Sequence, residues 1–156
     1  MTRFSSVEEM AAEVVGKKVT AVRIAEEVLQ LNFADGSSVA FDVEGDCCSH
    51  SYFYDFHGVE KLLENGPVTE FSEIDLKDTE YVYAYDTGGF EDGYESVQVY
   101  GYRLVTEHPT WGEQTSAFSF RNSSNGYYGG WMGLTERRID DVAPVTETVS
   151  EVVVTS

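Results

Sequence analysis

Asp46, Cys47, Cys48, His50, Asp55 and His57 fall within one short stretch, and these are the residue types that hold metals or activate nucleophiles. In an extended strand, alternate side chains point to opposite faces. Cys48 and His50 would then share one face, and Cys47, Asp55 and His57 the other. A single ion could collect only part of the set, and the ligand spacings of a zinc site are missing. Cys48 and His50 are therefore weak metal candidates only. Neither cysteine has a context that lowers a thiol pKa, and the chain has no Gly-x-Ser-x-Gly elbow. Cys48 with His50 or His108 is the one thiol–histidine pairing left, and no catalytic residue is assigned. Adjacent cysteines resist pairing with each other. With no third cysteine, a disulfide framework is not expected and a reducing compartment is.

Phosphate cradles are not encoded, since neither Gly88-Gly89 nor Gly129-Gly130 leads into Lys-Ser/Thr or a helix. Carboxylate pairs such as Asp75 with Asp78 are too common in this chain to mark acid–base catalysis. The aromatic residues are more suggestive. Tyr81, Tyr83 and Tyr85 alternate along one predicted strand face, and Tyr127, Tyr128 and Trp131 flank a glycine-rich turn beside Arg121 and Asn122. These eight residues are the candidate ligand or partner surface, with Arg121 and Asn122 as polar anchors between aromatic walls. Cross-strand tyrosine ladders also stabilise sheets that bind nothing.

The formal charge is −18 on 156 residues, and half of it lies between Glu60 and Glu95, where 11 acidic residues face only Lys61 and Lys77. Such a surface repels phosphate backbones and anionic headgroups, so direct nucleic-acid or membrane binding is not expected. A charge-steered partner should be basic. The same charge would also serve plain solubility.

The elements follow from periodicity. Val7, Met10, Ala11, Val14 and Val15 give a helix from about Ser6 to Val15, with capping-box spacing both from Ser5 to Glu8 and from Ser6 to Glu9 and a stop at Gly16. Strands are expected over Lys18–Ala25, at Leu29, Leu31 and Phe33, and at Val39, Phe41 and Val43, the last two joined by a turn at Asp35-Gly36. Cys47–His57 reads as a strand, Gly58 opens a short helix with Val59, Leu62 and Leu63, and Asn65-Gly66-Pro67 closes it. Further strands are expected at Val68–Leu76, Glu80–Tyr85, Ser96–Glu107, Thr115–Arg121 and Trp131–Leu134, with a hairpin at Asn125-Gly126. The fold class is α+β: a twisted, mainly antiparallel β-sheet with the N-terminal helix and one short central helix packed on it. Residues 1–135 form a single domain, and residues 136–156 are a tail, either an edge strand or disordered.

Two stretches carry a resemblance: Glu44-Gly45-Asp46-Cys47-Cys48-Ser49, and Tyr100-Gly101-Tyr102-Arg103 followed by Arg121-Asn122-Ser123-Ser124-Asn125-Gly126-Tyr127-Tyr128-Gly129-Gly130. With the Gly58–Leu63 helix between them, their order resembles a family of small uncharacterised proteins, a domain of unknown function found mainly in actinobacterial phages. The resemblance covers residues 16–135 and implies a phage accessory protein made in the cytoplasm of a bacterial host. It transfers no catalytic residue.

The leading expectation is a non-enzymatic acidic binding protein acting on a basic-surfaced host protein, as an inhibitor or anti-defence product that could occupy a nucleic-acid-binding cleft. The alternative is a protein that binds or sequesters a small molecule or nucleotide through Arg121. A thiol- or metal-dependent hydrolase at Cys47, Cys48, His50 and His57 comes third. No cofactor is expected, and no hydrophobic run is long enough for a signal peptide or a membrane span.

Overall fold

The computed structural model of the chain describes residues 5–46, 49–74, 90–91, 95–124 and 129–152. In chain order its elements are α1 (Val7–Ala12), β1 (Val19–Ile24), β2 (Val28–Phe33), β3 (Ser38–Gly45), β4 (His50–His57), α2 (Val59–Glu64), β5 (Glu70–Glu73), β6 (Phe90–Glu91), β7 (Glu95–His108), β8 (Gly112–Ser124) and β9 (Gly130–Thr135). The expected strand at Glu80–Tyr85 lies outside the described residues.

Helix α1 begins where the capping box puts it. The Ser6 hydroxyl accepts the Glu9 N–H at 3.1 Å and the Glu9 carboxylate accepts the Ser6 N–H at 2.9 Å, an arrangement that contributes about 1 kcal/mol. It ends at Ala12, short of the expected Val15, because residues 13–16 turn so that Gly16, at φ 90°, can donate to the Val68 carbonyl. Met10 and Val14 are buried while Val15 faces solvent. The β2–β3 hairpin forms as its alternation requires, with Leu31 opposite Val39 and the turn held by Asp35 accepting the Ser37 N–H at 2.8 Å.

The expected single sheet is two. One is four-stranded in the order β1-β2-β3-β9; the other runs β4-β8-β7-β5 with β6 on β7, and all pairings are antiparallel. The reason lies in the aromatic faces. Phe41 of the first sheet stacks on Phe71 and Phe118 of the second at 5.8 and 6.4 Å, so each sheet covers the apolar face of the other. The expected hairpin at Asn125-Gly126 is corrected too: β8 and β9, on either side of it, belong to different sheets, and Asn125 and Gly126 themselves lie outside the described residues.

After β9 the chain crosses the first sheet on the face opposite Phe41. Arg138 donates to the Ser38 hydroxyl at 2.8 Å, Gln30 donates to Asp140 at 2.8 Å, and Arg23 donates to the Asp140 carbonyl at 3.1 Å. Val145 then bridges Val22, and Val149 bridges Phe56.

Tyr102, buried on β7 between Phe71 and Phe118, holds its phenolic proton well above the ordinary range, first because of burial and then because Glu73 and Tyr100 oppose a new negative charge. The raised folded pKa gives stability that is present below the ordinary tyrosine pKa and lost as pH rises beyond it. At one pH unit above that ordinary value the loss through this group reaches about 1.4 kcal/mol. Urea unfolding between pH 9 and 11 should therefore fall less steeply with pH for Tyr102→Phe than for the wild type; parallel curves would refute the assignment.

Candidate functional site

The two stretches that carry the resemblance meet in space. Gly45 at the end of β3 pairs with Gly130 at the start of β9, and the Asp46 N–H donates to the Gly129 carbonyl at 3.2 Å. Against this glycine pair lies Asn122 of β8, fully buried, donating to the Ser51 hydroxyl at 2.8 Å and to Ser49 at 3.2 Å; Ser51 in turn donates to the Glu44 carbonyl at 2.9 Å. A Cβ on Gly45 would sit 2.3 Å from the Ser49 Oγ, and one on Gly130 would sit 2.3 Å from the Ser51 Oγ. Only glycine lets the sheets approach this closely. The Asn122 Oδ1 is buried without a hydrogen-bond partner.

Beside this node opens a groove of about 370 Å³, lined by Glu27, Asp42, Glu44, Ser49, His50 and Arg137 among others. It exists because β2 starts pairing with β3 only at Asp42, so Val43, Glu44 and Gly45 have β9 on one side and no strand of that sheet on the other. Asp42, on the face opposite Phe41, is only 6% exposed, and its Oδ1 is buried with no donor. Arg137 lies 3.6 Å from Glu27, both more than half exposed. His50 is exposed, 3.0 Å from Glu26, and stacks on Tyr52 at 5.3 Å.

Of the residues singled out from the sequence, Tyr81, Tyr83, Tyr85, Tyr127, Tyr128, Cys47 and Cys48 lie outside the described residues. Arg121 and Asn122, expected to act together, point to opposite faces of β8. Arg121 pairs across the strands with Tyr52, is 5% exposed, and lays its guanidinium 3.5 Å over the Tyr54 ring, while its Nε has no hydrogen-bond partner. Trp131 sits on β9 opposite Glu44.

Asp55 and His57 do come together, in an order that gives Ser119 no general base. The buried Asp55 accepts the Ser119 hydroxyl through one oxygen and lies 3.1 Å from the His57 Nε2 through the other. The carboxylate stands between serine and histidine, so His57 cannot take the serine proton, and buried Ser119 offers no approach to a substrate. Among the described residues, no three histidine, cysteine or carboxylate side chains converge to hold a metal ion. No helix among them is long and apolar enough to cross a membrane.

Asp42, Glu27 and the glycine pair were not visible from the sequence. Asp42 reads there as the polar position of an alternating strand, and nothing local announces that β3 will meet β9. Over residues 12–133 the chain matches DUF7448, a domain of unknown function, and it belongs to that family. No curated protein and no solved structure matches it.

Proposed function

We propose that this is a non-enzymatic acidic binding protein, a phage accessory product made in a bacterial cytoplasm, that docks on the basic surface of a host protein. One observation supports the reading: among the described residues, few lysines and arginines stand beside carboxylates. Among the described residues Arg103 and Arg137 lie within ion-pair distance of Glu70 and Glu27 in half-exposed pairs, and His50 and His57 within that distance of Glu26 and Asp55. Most of the other described cations serve the fold. Lys18 donates to the Leu62 and Leu63 carbonyls, Arg23 to the Asp140 carbonyl of the C-terminal crossing, Arg138 to the Thr135 carbonyl at the end of β9, and Lys17 and Arg121 lie over Phe33 and Tyr54. The negative field is thus free to steer and hold a cationic partner.

The immobilised chain should capture a basic host protein from an actinobacterial lysate and release it as salt rises from about 0.1 M toward 0.5 M, where the Debye length has fallen by about half. Retention of plain duplex DNA, or turnover of a substrate, would overturn the reading. A small-molecule or nucleotide binder is the second reading, favoured by the buried Arg121 Nε that lacks an acceptor. A nucleotide-dependent rise in Tm that Arg121→Gln abolishes would put it first.

A further inference from the structure

We infer that the groove at the end of β3 receives an arginine side chain, with Asp42 as its anchoring carboxylate; as a statement about the partner, this rests on the binding role proposed above. A carboxylate oxygen held away from water needs a donor, because leaving it unpaired is costly. Asp42 is 94% buried and its Oδ1 has none. Its surroundings favour a positive guest. Glu27 and Glu44 line the same groove, and the strand edge from Val43 to Gly45 runs along it.

The volume of about 370 Å³ lies at the small end of ligand pockets, enough for one side-chain head and its stem. Guanidinium suits the site better than ammonium, since it is more weakly hydrated and its fork of donors can serve a carboxylate and neighbouring acceptors together. Arg137 already lies at this groove, held by Glu27 across 3.6 Å at the surface. Such a pair contributes little and yields readily. Arg137 therefore acts as an internal competitor that an incoming arginine displaces.

The experiment is a nitrogen-15 NMR titration of the full chain with N-acetyl-arginine-methylamide, and in parallel with the lysine and citrulline analogues. Arginine should shift the amides of Asp42, Gly45, Ser49 and Ser51, lysine should bind more weakly, and citrulline should leave them unmoved. Asp42→Asn should weaken arginine about tenfold, whereas Glu70→Gln, at the Arg103 pair on β5, should not. Arg137→Ala should tighten binding, a result that a purely structural role for the groove would not give. Should Asp42→Asn fail to fold, the Arg137→Ala titration decides alone. Equal, diffuse shifts for arginine and lysine across the acidic surface, or no gain with Arg137→Ala, would overturn the inference. The two readings fail separately. A captured basic partner held undiminished by Asp42→Asn removes the groove and keeps the function. Arginine binding at the groove with no basic partner captured does the reverse.

Discussion

Replacing Phe118 by alanine is expected to remove about 4 kcal/mol of stability, the largest loss from any single side chain here. Phe118 is fully buried on β8 and is the ring on which the two sheets converge. Its centroid lies 6.4 Å from Phe41 of the first sheet, 6.3 and 5.3 Å from Phe53 and Phe56 on β4, 6.3 Å from Phe71 on β5 and 5.5 Å from Tyr102 on β7. Truncation forfeits the transfer energy of the ring and its stacked and tilted ring contacts. It also leaves a cavity that five other aromatic rings cannot readily fill. Against a total of about 5–15 kcal/mol for a domain, a loss of this size leaves the chain marginal at 37 °C. Urea unfolding measures it, and Trp111→Ala is the comparison: that ring is 73% exposed on the β7–β8 turn and should cost about 0.5 kcal/mol or less. A loss below about 1 kcal/mol for Phe118→Ala would mean that the facing of the two sheets is wrong.

What was legible in the sequence is what neighbouring residues decide. The Ser6–Glu9 capping box, the alternation of Leu29, Leu31 and Phe33 against Val39, Phe41 and Val43, and the Asp35-Gly36 turn are all contained within a few positions, and each forms. Pairing across distance is not local. Val43 finds Met132 and Gly45 finds Gly130 only because the inner faces of two sheets must bury one another. No period in either strand names its partner.

The same limit hid most of the site. Arg121 and Asn122 drew attention as adjacent polar residues, yet adjacency along a strand is what separates them onto opposite faces, one over Tyr54 and the other against Ser51. Asp42 shows no sign of being special until pairing with Val28 on one side and Gly133 on the other holds it beside a groove. Gly129-Gly130, unusable as a phosphate cradle, turns out to matter for what its missing Cβ admits.

Gly130→Ala is accordingly expected to cost about 3 kcal/mol, an effect a surface glycine would not show. The new methyl would lie 2.3 Å from the Ser51 Oγ, 2.9 Å from the Asn122 Nδ2 and 3.1 Å from the Asn122 Cβ. Ser51 can rotate away, but it then gives up the bond from Asn122 and its own bond to the Glu44 carbonyl. Asn122, packed at the end of the core and already short of one partner at Oδ1, cannot retreat without opening the junction of β3, β4, β8 and β9. The cost is overpacking plus two buried polar groups left unsatisfied. Gly66→Ala is the control, with its nearest atom 4.0 Å from the added Cβ. A double-mutant cycle with Ser51→Ala sharpens the test. Removing the hydroxyl relieves the closest contact, so the two losses should sum to at least 1 kcal/mol more than the double variant shows. Strict additivity would place the strain elsewhere and break the link between the glycine pair and the Asn122 node.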